Sequence, residues 1–227
     1  MSEGLAMSVG SARVLCRASG ALWIEDVRAL VVADLHFEKG SAFARRGQLL
    51  PPYDTPETLK RLAAEVDALS PRLVVFLGDS FHDGEGEARL SADDERAIRG
   101  IASGRTLVWL AGNHDAEGPR RLPGDRAEAV TLAGLALVHE PGEGETAGEA
   151  AGHLHPCAKV RGRGGSVRRR CFVTDGRRLV LPAFGSYAGG LNVRHAAFAP
   201  LFERRPLAAV LGPRRVHPIA WSSLRDD

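Results

Sequence analysis

The chain is short of cysteine, lysine, long apolar runs and net charge, and each shortage excludes something. Cys16, Cys157 and Cys171 are an odd number without a Cys-x-x-Cys spacing, which argues against a disulfide framework and against a thiolate zinc site. They read as thiols of the core or its margin. The longest apolar runs, such as Leu73 to Leu77, are far too short to span a bilayer, so no membrane segment is expected. Met1-Ser2-Glu3-Gly4 lacks a basic region followed by an apolar stretch, so no secretory signal is expected and the cytoplasm is the expected location. The formal net charge is only +2 and by itself implies no partner.

What is present is ordinary in bulk and unusual in detail. With 44% hydrophobic and 26% charged residues, a chain of 227 residues can bury one sizeable core, and a single domain over residues 1–227 is the expectation. Only three of the thirty basic residues are Lys. Arg doublets recur, and the densest block is Arg161-Gly-Arg163-Gly-Gly-Ser-Val-Arg168-Arg169-Arg170. Its planar donors suit phosphate, and they equally suit a solvated hairpin.

Apolar stretches at 12–16, 21–24 and 29–33 predict a strand meander, with a turn at Glu25-Asp26. The third stretch ends in Asp34-Leu35-His36, where alternation puts Asp and His on one side, as a metal pair or as a capped turn. An irregular stretch from Phe37 to Tyr53 follows, carrying Lys39, Arg45 and Arg46. Asp54 or Thr55 is expected to cap a helix whose apolar face is Leu59, Leu62, Ala63, Val66 and Leu69. Leu73 to Leu77 reads as a strand buried on both sides and runs into Gly78-Asp79. Ser91 with Asp94 predicts a capping box for a second helix, and the strand 106–111 runs into Gly112-Asn113-His114-Asp115.

This strand–helix–strand series predicts a largely parallel sheet with ligands at the carboxyl ends of its strands. Beyond Asp115 the pattern becomes a second, more antiparallel set of strands at 129–132, 135–138, 158–161, 168–174 and 178–181. The second of these ends at His139. Residues 141–152, rich in Gly and Glu, read as a mobile surface loop before His153-Leu154-His155. The stretch 181–192 reads as a small-residue loop beneath the site, 194–202 as a short helix, and 207–211 with 215–219 as a closing strand pair.

Asp34-x-His36, Gly78-Asp79, Gly112-Asn113-His114-Asp115, His139 and Gly152-His153-x-His155 resemble, in order and flanking strands, the calcineurin-like metallophosphoesterases. That resemblance implies a four-layer α/β/β/α sandwich of two mixed sheets and two metal ions. Carried over, Asp34, His36, Asp79 and His155 would hold the first metal, and Asp79, Asn113, His139 and His153 the second. His114 would protonate the leaving oxygen. Nitrogen and oxygen ligands without thiolate suit Mn, Fe, Zn or Co. Protein phosphatases of this superfamily carry Gly-Asp-x-x-Asp-Arg-Gly, whereas His82 stands in the place of the second Asp here, which disfavours that activity. The partner that orients His114 is left among His82, Asp83 and Asp115.

Narrower wording, Ala-Asp-Leu-His-Phe-Glu-Lys-Gly at 33–40, Gly-Asp-Ser-Phe-His-Asp at 78–83 and Leu-Pro-Ala-Phe-Gly at 181–185, resembles the bacterial ligase-associated DNA damage response endonucleases. That resemblance implies a manganese-dependent phosphodiesterase cutting DNA, mainly single strands, beside a DNA ligase and a helicase-like repair protein. Lys39, Arg45, Arg46, Arg168, Arg169 and Arg170 would then meet backbone phosphates, and Tyr53 or Phe37 would stack on a base or pack in the core or at the rim. The rival expectations are a hydrolase of nucleotides or phosphomonoesters and a non-catalytic scaffold.

Overall fold

The computed structural model describes residues 4–162 and 164–227. Met1 to Glu3, part of the signal-segment reading, and Arg163 of the Arg-rich block lie outside the described residues. The first sheet runs in chain order: β1 (Leu5–Val9), β2 (Ala12–Cys16), β3 (Leu22–Ile24), β4 (Ala29–Val32), β5 (Leu73–Phe76), β6 (Thr106–Leu110) and β7 (Asp125–Ala127). Strands up to β4 form an antiparallel meander, and β4 to β7 are parallel. The expected meander is therefore present, with β1 as an additional edge strand.

Alternation explains why the central strands read as unbroken apolar runs. Ala29, Val31, Ala33, Val75 and Leu77 point into the core between the sheets, while Leu30, Val32, Val74 and Phe76 point to the helical side. On that side Phe76 and Trp109 stack with ring centroids 3.9 Å apart. The covering helices follow from α1 (Lys39–Arg45): α2 (Asp54–Leu69), the short α3 (Gly86–Arg89) and α4 (Ala92–Ala102). Leu59, Leu62 and Val66 of α2 and Ile98 and Ile101 of α4 are the buried faces. Ser91 caps α4 as its sequence predicts, accepting the Asp94 N–H at 3.1 Å.

Two local expectations are corrected. The stretch 37–53 contains α1, and neither Asp54 nor Thr55 caps α2. Both side chains instead tie α2 to α1: Asp54 accepts the Gly40 N–H at 3.0 Å, and Thr55 accepts the Glu38 N–H at 2.9 Å. Tertiary partners took the oxygens that a local rule assigns to the helix end.

The second sheet comprises β8 (Ala129–Leu132), β9 (Leu135–Val138), β10 (Glu149–Ala151), β11 (Pro156–Gly162), β12 (Gly165–Thr174), β13 (Arg178–Val180), β14 (Leu191–Asn192), β15 (Leu207–Leu211), β16 (Val216–Ala220) and β17 (Leu224–Arg225). Its β10 corrects the reading of 141–152 as loop throughout. Glu149 to Ala151 are buried and pair parallel with both β9 and β13. The acidic residue that disguises this strand is neutralised by Arg178, whose Nε lies 2.5 Å from Glu149 Oε1.

The outer face of the second sheet buries Ala158, Cys171, Val173 and Val180 under Phe198 and Leu201 of a 3-10 segment, Ala196–Leu201. Helices, sheet, sheet and helical segment thus follow in the expected α/β/β/α order, with two mixed sheets. The three cysteines are buried and free. No helix among the described residues is long and apolar enough to cross a membrane.

Candidate metal centre

Five strands deliver the site. β4 leads to Asp34 and His36, β5 to Asp79, β6 to Asn113 and His114, β9 to His139, and β10 to His153 and His155. The loops after β4 and β5 continue to hold each other: His36 N–H donates to the Asp79 carbonyl at 2.9 Å and Phe37 N–H to the Ser80 carbonyl at 2.8 Å. The 183–185 segment closes from below, with Gly185 N–H donating to the Asp34 carbonyl at 3.1 Å. This is the position expected for the small-residue loop.

The backbone at the site is held out of its easy conformations. Asp34, His36, Asp79, His153 and His155 all have positive φ, between 45° and 69°. Such residues cost free energy and persist where surrounding contacts over-determine them, as they do at functional sites. Close approach adds a second constraint. A Cβ at Gly78 would lie 2.5 Å from the His139 ring, and one at Gly112 would lie 2.1 Å from the Asp79 nitrogen.

The seven candidate ligands converge in two groups about Asp79. On one side His36 Nε2 and His155 Nε2 are 3.2 Å apart, and His155 Nε2 is 3.4 Å from Asp34 Oδ1. On the other, Asn113 Oδ1 lies 2.9 Å from both His139 Nε2 and His153 Nδ1. Asp79 Oδ1 is 3.4 Å from His139 Nε2, while its Oδ2 is 3.9 Å from His36 Nε2. One carboxylate therefore faces both groups.

The protonation pattern tests whether this set suits a cation. His139 Nδ1 lies 2.8 Å from the Leu77 carbonyl, so the proton belongs there and Nε2 presents a lone pair inward. The Asn113 oxygen faces that nitrogen and His153 Nδ1 at 2.9 Å each, a cluster of ligand-capable atoms whose chemistry suits a cation. Burial, followed by the charges of His155, His114, Lys39 and His82, drives the His36 pKa down to about 2, so its imidazole is a neutral donor. Asp34, His36 and His155, and separately Asp34, Asp79 and His139, are close enough to share an ion. With the three cysteines elsewhere, the donors are nitrogen and oxygen only.

His114 stands at the rim, its side chain 41% exposed, with Nε2 3.9 Å from Asp79 Oδ2. Its orienting contact comes from His82, whose backbone carbonyl is 2.9 Å from His114 Nδ1. The two rings also stack, with centroids 5.5 Å apart. Asp83 is occupied by Arg89 at 2.8 Å, and Asp115 accepts the Phe81 N–H at 3.0 Å. Burial pushes the Asp115 carboxyl up to about 7. A carbonyl partner has no residue-type signature, which is why the sequence did not single it out.

The expected phosphate-binding residues divide. Lys39 lies over the Phe43 ring, which in turn meets His82 with centroids 5.6 Å apart, so α1 is a wall of the site. Arg45 pairs with Glu85, and Arg46 is exposed at the end of α1. Arg168 and Arg169 are exposed on β12. Arg170 is a correction: its guanidinium donates to the carbonyls of Ala183, Gly185, Ser186 and Ala188 and holds the loop beneath the site. Phe37 takes the packing alternative, being 1% exposed and packed on Phe81, whereas Tyr53 is 64% exposed.

Residues 27–156 match the family model described as calcineurin-like phosphoesterase. The crystal structure of Pseudomonas putida nuclease MPE is similar at TM-score 0.75 and 27% identity, covering 95% of this chain and 100% of that one. No curated protein matches the chain. Since the matched span holds every strand that brings a donor to Asp79, and covers more than half of the sequence, this chain belongs to the calcineurin-like phosphoesterase family.

Proposed function

We propose that the protein is a two-metal phosphodiesterase that cuts DNA, single strands above all, and acts in DNA repair beside a DNA ligase and a helicase-like protein. The carrying observation is the division of Asp34, His36, His155 on one side and Asn113, His139, His153 on the other, with Asp79 between them. The similarity to a nuclease supports the substrate class. Asp34, His36, Asp79 and His155 would hold one divalent ion, and Asp79, Asn113, His139 and His153 the other, with manganese favoured over iron, zinc or cobalt. Bound there, the pair supplies an acidified water and charge neutralisation for an in-line displacement at phosphorus.

The chain's own residues do the rest. Asp79, nearly fully buried and fixed by the His114 N–H at 2.9 Å, keeps the two groups of donors in register. His114, its Nδ1 fixed by the His82 carbonyl, carries a proton on Nε2 to the leaving oxygen. Lys39 and Arg46 on the α1 wall meet the flanking phosphates.

Metal analysis of the purified protein, followed by incubation with labelled single strands, duplex and mononucleotides, tests this. Manganese-dependent incision of the single strand is the expected result. Hydrolysis of nucleotides with DNA left intact would establish the small-substrate rival, and a metal-free protein without diesterase activity the scaffold.

A further inference from the structure

We propose that the β-ribbon leaving the metal centre is a track for the backbone of single-stranded nucleic acid, an inference that rests on the nuclease reading above. β11 starts at Pro156, the residue after His155, so the ribbon grows directly out of the donor set. It has three strands, with β12 on one side of β11 and β17 on the other.

Residues opposite one another in a sheet share a face, as do alternate residues along a strand. Lys159 stands opposite Arg168 on β12 and Arg225 on β17, and Arg161 follows two residues along the same strand. Lys159, Arg161, Arg168 and Arg225 therefore present one basic face. Lys159, Arg161 and Arg225 line a common open hollow. The opposite face is spoken for, because Ala158, Val160 and Leu224 pack into the outer core.

The direction of this face is fixed further along β12. Arg170 and Phe172 have the same parity as Arg168; Phe172 lies in the core between the sheets, and Arg170 grips the loop under Asp34. The basic face is thus the inner face of the second sheet continued past the sandwich, on the side of the metal centre. At about 3.3 Å per residue, same-face cations recur about every 6.6 Å, and Arg161 lies about 20 Å along the strand from His155. The pattern suits an extended phosphate backbone entering or leaving the site.

Two acids already touch this surface. Arg168 Nε lies 3.3 Å from Asp227, and Asp226 lines the hollow shared by Lys159, Arg161 and Arg225, with both carboxylates largely exposed. Exposed ion pairs of this kind contribute little, so phosphates of an incoming strand readily replace them.

The test is equilibrium binding of fluorescein-labelled phosphorothioate oligothymidylates, about 4 and about 16 nucleotides long to bracket the site sizes of single-strand grooves, to the metal-loaded protein over a range of salt. K159Q/R161Q/R225Q should weaken the longer strand more than the shorter. It should also flatten the slope of log Kobs against log salt by about 2, at about 0.7 per lost single-strand phosphate contact. R13Q/R96Q/R204Q, which removes equal charge elsewhere on the surface, should leave that slope in place. R161Q alone, at one exposed position, should flatten it by about 0.7 and serves if the triple variant does not fold.

An unchanged slope in the ribbon variants, or an equal loss in the charge-matched control, overturns the track. Wild-type protein that binds neither strand overturns the nuclease reading together with it. Wild-type incision of single strands with an unchanged slope in the variants overturns the track alone.

Discussion

At the scale of single residues, the proposed roles separate by what each removal leaves behind. Asp79→Asn takes a charge from between the two donor groups, so metal content and turnover should fall together, as read by metal analysis and a diester assay. His114→Ala leaves every proposed ligand in place. Metal content should hold while cleavage slows by about 10²–10⁴-fold, the range of a lost general acid, and most for poor leaving groups. Equal loss of metal in both variants would refute the assignment of His114. Gly78→Ala is informative because Gly78 has φ +70° and its Cβ would meet the His139 ring at 2.5 Å. It should cost metal at the group containing His139 without replacing any donor.

At the scale of elements, β10 holds more than its three residues suggest. Arg178, 2% exposed, is bonded both to Glu149 of β10 and to the Leu201 carbonyl of the outer segment. Removing one member of a buried pair leaves the other charge uncompensated, so Glu149→Ala should cost about 3–5 kcal/mol in a denaturant titration. The variant should also bind metal more weakly, because β10 leads directly into His153 and His155. The turn before β13 gives a pH prediction. Burial of Asp175 would raise its pKa, but backbone N–H groups of Arg178, Arg177, Glu203 and Arg204 outweigh it, leaving the carboxyl below its ordinary value. A lowered carboxyl contributes stability above its unfolded value of 3.8 that is lost as pH falls through the folded pKa. Asp175→Asn should therefore flatten the loss of stability below about pH 4, measured by denaturation at several pH values.

At the scale of the whole molecule, the donors come from both sheets, so an ion held among them ties the two halves of the sandwich together. Asp34 and Asp79 follow strands of the first sheet, and His139, His153 and His155 follow strands of the second. A ligand that binds only the folded chain stabilises it by mass action, about 2.7 kcal/mol at a hundredfold excess over Kd. Manganese should accordingly raise the melting temperature and a chelator lower it. A melting temperature indifferent to both would count against a site shared between the sheets. His114→Ala should keep this metal-dependent shift, and Asp79→Asn should lose it.

Much of this was determined by the sequence. Period-two alternation and unbroken apolar runs marked β4, β5 and β6, and the donors standing just after strands marked the site, because burial pattern and ligand chemistry are properties of residue type. The cap at Ser91 was equally legible, since its bond spans three residues. The tertiary structure alone decided whatever depends on distant partners. It put Glu149 in a strand by giving it Arg178, removed Asp54 and Thr55 from their cap by giving them α1, and turned Arg170 toward four carbonyls. It also chose the His82 carbonyl to orient His114, because a backbone atom carries no mark in the sequence and acquires its role only when two loops are brought together.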